Sequence, residues 1–156
     1  MPKIRIIVVE KTKSSFIEEG ERFYLKRLQR YAQVEWVEVK GRRITPGSSR
    51  DDILAREAEA ISARLGPHDH LIVLCRQGSG IDSEGLASRL ERLCGEKAPV
   101  TFVIGGPLGL GKEIYRRSKE ALSLSSLTLT HEMSRLILLE QLYRAFTIMR
   151  NEKYHK

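Results

Sequence analysis

Four short apolar runs, residues 4–9, 34–39, 70–75 and 100–104, are separated by segments whose apolar side chains recur at helical spacing. Such alternation predicts an α/β fold, a mostly parallel sheet flanked by helices, because parallel neighbours need a crossover between them. The reading gives about five strands and helices over residues 14–31, 51–65, 83–94, 111–121 and 130–150. In the first helix Phe16, Ile17, Phe23, Tyr24 and Leu28 are the expected apolar positions. Residues 34–39, interrupted by Glu35 and Glu38, predict a strand with one buried face near a sheet edge. Residues 41–50 carry Arg42, Arg43 and Arg50 among Gly, Pro and Ser, the composition of a mobile loop. Residues 77–80 are expected to turn into the third helix. At 156 residues the chain fits one domain, residues 1–156, with a core large enough to need no staples.

The run VTFVIGG, residues 100–106, stops in a glycine pair, so a buried strand delivers bare main chain to whatever lies at its carboxyl end. The segment LSLSSLTL, residues 122–129, alternates until Ser125 and Ser126, where two successive polar residues shift the later leucines to the other phase. That break predicts a bulge or loop. In parallel sheets ligands collect at the carboxyl ends of strands, where residues 75–78, Gly105 with Gly106, and the serine break would converge. A tight turn needing positive φ would explain the two glycines alone. Two backbone-rich elements at one sheet end favour a pocket for adenine and ribose.

Residues 106–113 nearly spell a phosphate-binding loop, but Glu113 stands where a magnesium-binding hydroxyl is required. An anion beside a polyphosphate argues against nucleoside triphosphate hydrolysis, and the glycine spacing fails the dinucleotide fingerprint.

Lysine and arginine total 27 against 20 acids, a net charge of +7. This balance favours a polyanion such as nucleic acid, and the spread of cations through predicted elements implies a formed surface. The first apolar run is too short for a signal peptide or a membrane span, which predicts a soluble, cytoplasmic protein with no membrane partner. Cys75 and Cys94 lack a CxxC spacing and partnering histidines, so ordinary thiols and no metal are expected.

The last helix carries apolar residues around more than half its circumference, with Leu142, Phe146 and Met149 continuing the run, which points to a homodimer or an unusually central helix. Arg135 and Arg144 lie nine positions apart and so on opposite faces. Thr130 is the expected N-cap, and Glu132 sits well against the helix dipole. His131 is readable as a plain first-turn residue. Tyr154, His155 and Lys156 form either a solvated tail or an aromatic and cationic contact for nucleic acid.

The segments FVIGGPLGL (102–110), LSLSSLTL (122–129), LLEQLYRAF (138–146) and the closing Tyr154 and His155, in that order, resemble the small SPOUT-class methyltransferases that methylate N3 of a pseudouridine in large-subunit ribosomal RNA. The resemblance covers essentially the whole chain. It implies a C-terminal trefoil knot, against the general rarity of threaded chains. It also implies S-adenosyl-L-methionine held by three loops: Leu74 and Cys75; Gly105 and Gly106; and Ser125, Ser126, Leu127, Thr128, Leu129 and Thr130. By the same resemblance Tyr154, His155 and Arg144 are the catalytic candidates, with Tyr154 and His155 positioning or deprotonating the target base, while Arg144, Arg135, His155 and Lys156 hold the RNA. The implied partners are ribosomal RNA in the assembled ribosome and a second copy of the chain. Two departures stand out: Thr130 and Lys153 occupy positions where the family carries prolines, which removes two rigid turns. Methylation of a different RNA, or RNA binding without catalysis, are the alternatives.

Overall fold

The computed structural model describes residues 1–156. Five strands, β1 (Lys3–Val9), β2 (Gln33–Val39), β3 (His70–Gly80), β4 (Val100–Ile104) and β5 (Glu120–Ser123), form one sheet in the order β2-β1-β4-β3-β5. Every pairing is parallel. The helices are α1 (Ser15–Leu28), α2 (Arg50–Ser62), α3 (Ser83–Cys94), α4 (Lys112–Arg117) and α5 (His131–Met149).

Two apolar layers sandwich the sheet, because successive strand residues face opposite sides. Ile4, Ile6 and Val8 of β1 join α1, α3 and α5, whereas Ile7 and Val9 join α2 and α4. All five residues of β4 are buried, as expected of a central strand. From α5 the core takes Leu138, Leu139, Leu142 and Phe146, each contributing about 1.5–3 kcal/mol of burial.

Four expectations need correction. Strand β2 does lie at the edge, but Val34 and Trp36 pack against one core and Val37 and Val39 against the other, so both faces are covered. Phe16 and Phe23 are 67% and 47% exposed, because the buried stripe of α1 runs through Ile17, Glu21 and Leu28. Helix α4 ends at Arg117, and Lys119 N–H donating to the Leu71 carbonyl starts β5. Residues 77–80 remain in β3: Leu74 and Ser79 both align with Leu122, so residues 75–78 bulge from the sheet. Gly78 permits this, since a Cβ there would meet the Leu122 main-chain carbon at 2.6 Å.

Candidate cofactor and nucleic-acid site

The β3 bulge, the turn after β4 and the loop after β5 meet at the carboxyl end of the sheet. They enclose a cavity of about 460 Å³ lined by Leu74, Cys75, Ile104, Gly105, Gly106, Leu129 and Thr130, among others. A smaller adjoining cleft of about 90 Å³ adds Ser125, Leu127 and Thr128. Ser126 lines neither and is exposed.

Each loop owes its shape to specific residues. A Cβ on Gly105 would collide with the carbonyl oxygen of Gly109, so the turn can fold back over Gly105 only if that residue is glycine. The positive φ of this turn falls on Gly109, at +86°, and not on the glycine pair. Gly106 and Gly109 close the turn with a bridge. After β5 the Ser123 hydroxyl donates to the Ser125 carbonyl at 2.9 Å, and the Ser125 hydroxyl accepts from Leu127 N–H at 2.9 Å. These two bonds end the strand at the serine break. Thr130 caps α5 by accepting from Met133 N–H at 3.1 Å.

The lining provides main-chain donors and acceptors, apolar walls from Leu74, Ile104 and Leu129, and few charges. That donor set and volume suit a nucleoside-sized ligand, and residues 75–78 have no register partner in β5. The lining residues that the sequence did not single out include Tyr115, Ser134 and His131. Burial and the neighbouring Cys75 side chain push the Tyr115 phenol up to about 12. Burial, then the charge of Arg135, hold His131 below the ordinary histidine value, so its imidazole is neutral at neutral pH.

The anticipated RNA contacts divide into two groups. Arg135 has no exposed surface and donates to the Val9 carbonyl at 2.6 Å and to the Thr12 hydroxyl at 2.8 Å. It is therefore a buried clamp between α5 and the end of β1, with no face for a phosphate. Arg144, Tyr154 and His155 do gather. The Arg144 guanidinium lies 4.7 Å from the Tyr154 ring centroid and donates to Glu140 Oε1 at 2.6 Å, and the Tyr154 hydroxyl donates to the same oxygen at 3.1 Å. Burial, the Tyr24 hydroxyl and the Glu140 carboxylate hold the Tyr154 phenol far above its ordinary value, which makes it a donor and not a base. Arg144 Nη1 lies 3.3 Å from His155 Nδ1, and since a guanidinium only donates, the imidazole proton sits on Nε2, 3.7 Å from Glu84. The tail is thus folded onto α5, with Lys156 exposed.

One chain does not unite the cavity with the tail cluster. Ser134 lines the cavity, and Arg144 lies ten residues farther along α5, about 15 Å at the helical rise. Glu132, expected to serve the α5 dipole, accepts from Lys13 and Ser14 N–H at 3.0 Å each and fastens the entry of α1. Those amide bonds outweigh burial and keep its carboxyl below the usual range. No helix is long and apolar enough to cross a membrane.

A family model described as "Predicted SPOUT methyltransferase" matches residues 2–155. Proteins named ribosomal RNA large subunit methyltransferase H are 43% identical in Acetivibrio thermocellus, covering 99% of both chains, and 40% identical in Leuconostoc mesenteroides, covering 98% of this chain and 99% of the relative. Two solved structures share the fold. One, described as a probable methyltransferase from Bordetella pertussis, has a TM-score of 0.62 at 14% identity and covers 93% of this chain and 96% of its own. The other, a probable methylase family protein from Haemophilus influenzae, has a TM-score of 0.57 at 19% identity and covers 99% of this chain and 71% of its own.

Proposed function

The chain belongs to the SPOUT methyltransferase family, and from that premise we propose that it methylates N3 of a pseudouridine in large-subunit ribosomal RNA, in the cytoplasm and on the assembled ribosome. The observation that carries the reading is the convergence of three main-chain loops, at Leu74 and Cys75, Gly105 and Gly106, and Leu129 and Thr130, on one cavity, with Ser125, Leu127 and Thr128 in the cleft beside it. The near full-length identity to proteins named for ribosomal RNA methylation supplies the substrate class.

When bound, S-adenosyl-L-methionine supplies a methyl group activated by its sulfonium centre. Leu74, Ile104 and Leu129 would hold the adenine between apolar walls while amides and carbonyls of the glycine turn and the β5 loop read its edges. Alignment of the target nitrogen with that methyl is the chief work left to the protein. N3 of pseudouridine must also lose a proton. The neutral His131 imidazole lines the cavity and can accept one, whereas His155 Nδ1 already faces the Arg144 donor. Tyr154, His155 and Arg144 then position the base and its phosphate, with Lys156 free for the backbone.

The separation of tail and cavity along α5 supports a homodimer in which each tail serves the partner's cavity. Exposed Phe16 and Phe23, with half-buried Leu136 and Ile137, offer apolar surface for such an interface. Residues 1–156 act as one domain with a knotted C-terminal part in this reading.

Calorimetric titration with S-adenosylhomocysteine, with magnesium ATP as the control, tests it. Saturable binding of the first without the second is expected. ATP binding alone would restore the phosphate-loop reading, and RNA binding without homocysteine-nucleoside affinity would leave a non-catalytic RNA-binding module.

A further inference from the structure

We propose that the cavity between residues 10–13 and 40–44 is a docking groove for the phosphate backbone of the RNA, with Lys11, Lys13, Lys40, Arg42 and Arg43 as its contacts. The inference rests on the RNA-methyltransferase reading above. The cavity measures about 540 Å³ at the carboxyl ends of β1 and β2. Pro107 and His131 line both it and the cofactor cavity, so the two are neighbours. A strand of RNA presenting a base to the second would carry adjoining phosphates across the first.

The charges are arranged for an outside anion. All five cations are exposed, and none takes part in an ion pair. The three carboxylates in the lining accept main-chain hydrogen bonds instead. Glu10 takes Gly41 N–H at 2.8 Å, Glu57 takes Arg42 N–H at 3.1 Å, and Glu132 takes Lys13 N–H at 3.0 Å. These acids serve as struts for the two cation-bearing loops and leave the cations available. Surface cations unpaired around a concavity concentrate a positive potential, which attracts a polyanion more than it does a single small ligand.

The struts require unusual local chemistry. Glu10 adopts a left-handed φ of 68°, a conformation costly for a residue with a Cβ. Gly41 must lack a Cβ, which would stand 2.7 Å from Glu10 Cγ. Strain at the end of β1 and a glycine opposite it are thus matched to hold one loop against the other.

The test compares the wild type with Lys40→Gln/Arg42→Gln/Arg43→Gln, and with Lys3→Gln/Arg92→Gln/Lys97→Gln as a control of equal charge change at exposed positions outside this cavity. Affinity for purified ribosomes lacking the modification is measured over a salt series, with methylation kinetics and S-adenosylhomocysteine calorimetry alongside. The groove variant should lose roughly tenfold or more in ribosome affinity, with the loss read in KM more than in kcat, and its log–log salt slope should flatten by about 0.7–0.9 for each contact removed. Arg42→Lys/Arg43→Lys should retain the wild-type slope, since charge and not fork geometry is the requirement. An unchanged KM and slope in the groove variant would overturn the groove while wild-type methylation left the function standing. Lost S-adenosylhomocysteine affinity would reassign the cavity to the cofactor. A wild type that methylates no ribosome would remove the function itself.

Discussion

Replacing Arg135 by methionine tests whether this arginine is a structural clamp. The substitution keeps much of the buried volume but removes the bonds to the Val9 carbonyl and the Thr12 hydroxyl. The Thr12 hydroxyl in turn donates to Glu21 at 2.8 Å, and Glu21 is only 5% exposed, so its carboxylate loses its nearest compensating charge. Two hydrogen bonds from a charged donor are worth about 1.5–3 kcal/mol each. Removing a buried cation whose Nε has no partner returns part of that, leaving a loss of about 3 kcal/mol. For a chain of this size the midpoint should fall by about 6–12 °C. The loss should depend on pH in a defined direction. Burial raises the Glu21 carboxyl above the usual value, while Thr12 and Arg135 pull it back down. Without Arg135 it rises further, and a carboxyl with a raised folded value costs stability above that value and nothing below its unfolded value. The deficit should therefore narrow as pH falls from neutrality into the carboxylate range. Urea denaturation in neutral and mildly acidic buffers reads both effects. A loss below about 1 kcal/mol, or one that stays constant with pH, would refute the clamp. An exposed phosphate contact would instead lose RNA affinity and keep its midpoint.

Three further substitutions have definite outcomes. Gly105→Ala sets a methyl against the Gly109 carbonyl and should abolish S-adenosylhomocysteine binding in calorimetry while far-ultraviolet circular dichroism stays near that of the wild type. Thr130→Ala removes the α5 cap and should cost about 1 kcal/mol in chemical denaturation, with weaker cofactor binding because the same residue lines the cavity. His155→Ala should abolish methyl transfer yet leave S-adenosylhomocysteine affinity nearly intact. A collapse of that affinity would place His155 in the cofactor pocket.

The sheet was legible because its strands announce themselves locally. Residues 100–104 form an uninterrupted apolar run, and residues 83–94 have Asp82 as a side-chain cap and an amphipathic stripe, so both boundaries match the structure. Where the reading missed, a distant partner decided. Lys119 leaves the helical pattern because Leu71 offers a carbonyl, and residues 77–80 stay in β3 because Gly78 can press against Leu122. Phe16 and Phe23 look like core by composition, yet the packed stripe of α1 is set by Ile17 and Leu28. The cofactor loops were legible for the opposite reason: glycines and the paired serines mark positions where side chains are unwanted. Tyr115 and Ser134 were not, since only the folded chain brings them beside Cys75 and Gly105. Nor does any local signal tell a buried arginine such as Arg135 from an exposed one such as Arg43. The tail was ambiguous because Glu140, which anchors Arg144 and Tyr154, is an ordinary helical glutamate in sequence.

Methyl transfer is decided by incubating the purified protein and S-adenosyl-L-methionine with ribosomes that lack the modification, then mapping new methyl groups by mass spectrometry of nuclease fragments. One added methyl is expected, on N3 of a pseudouridine in the large-subunit RNA. Methylation of any other nucleotide, or none at all from a protein that binds S-adenosylhomocysteine, would contradict the proposed function.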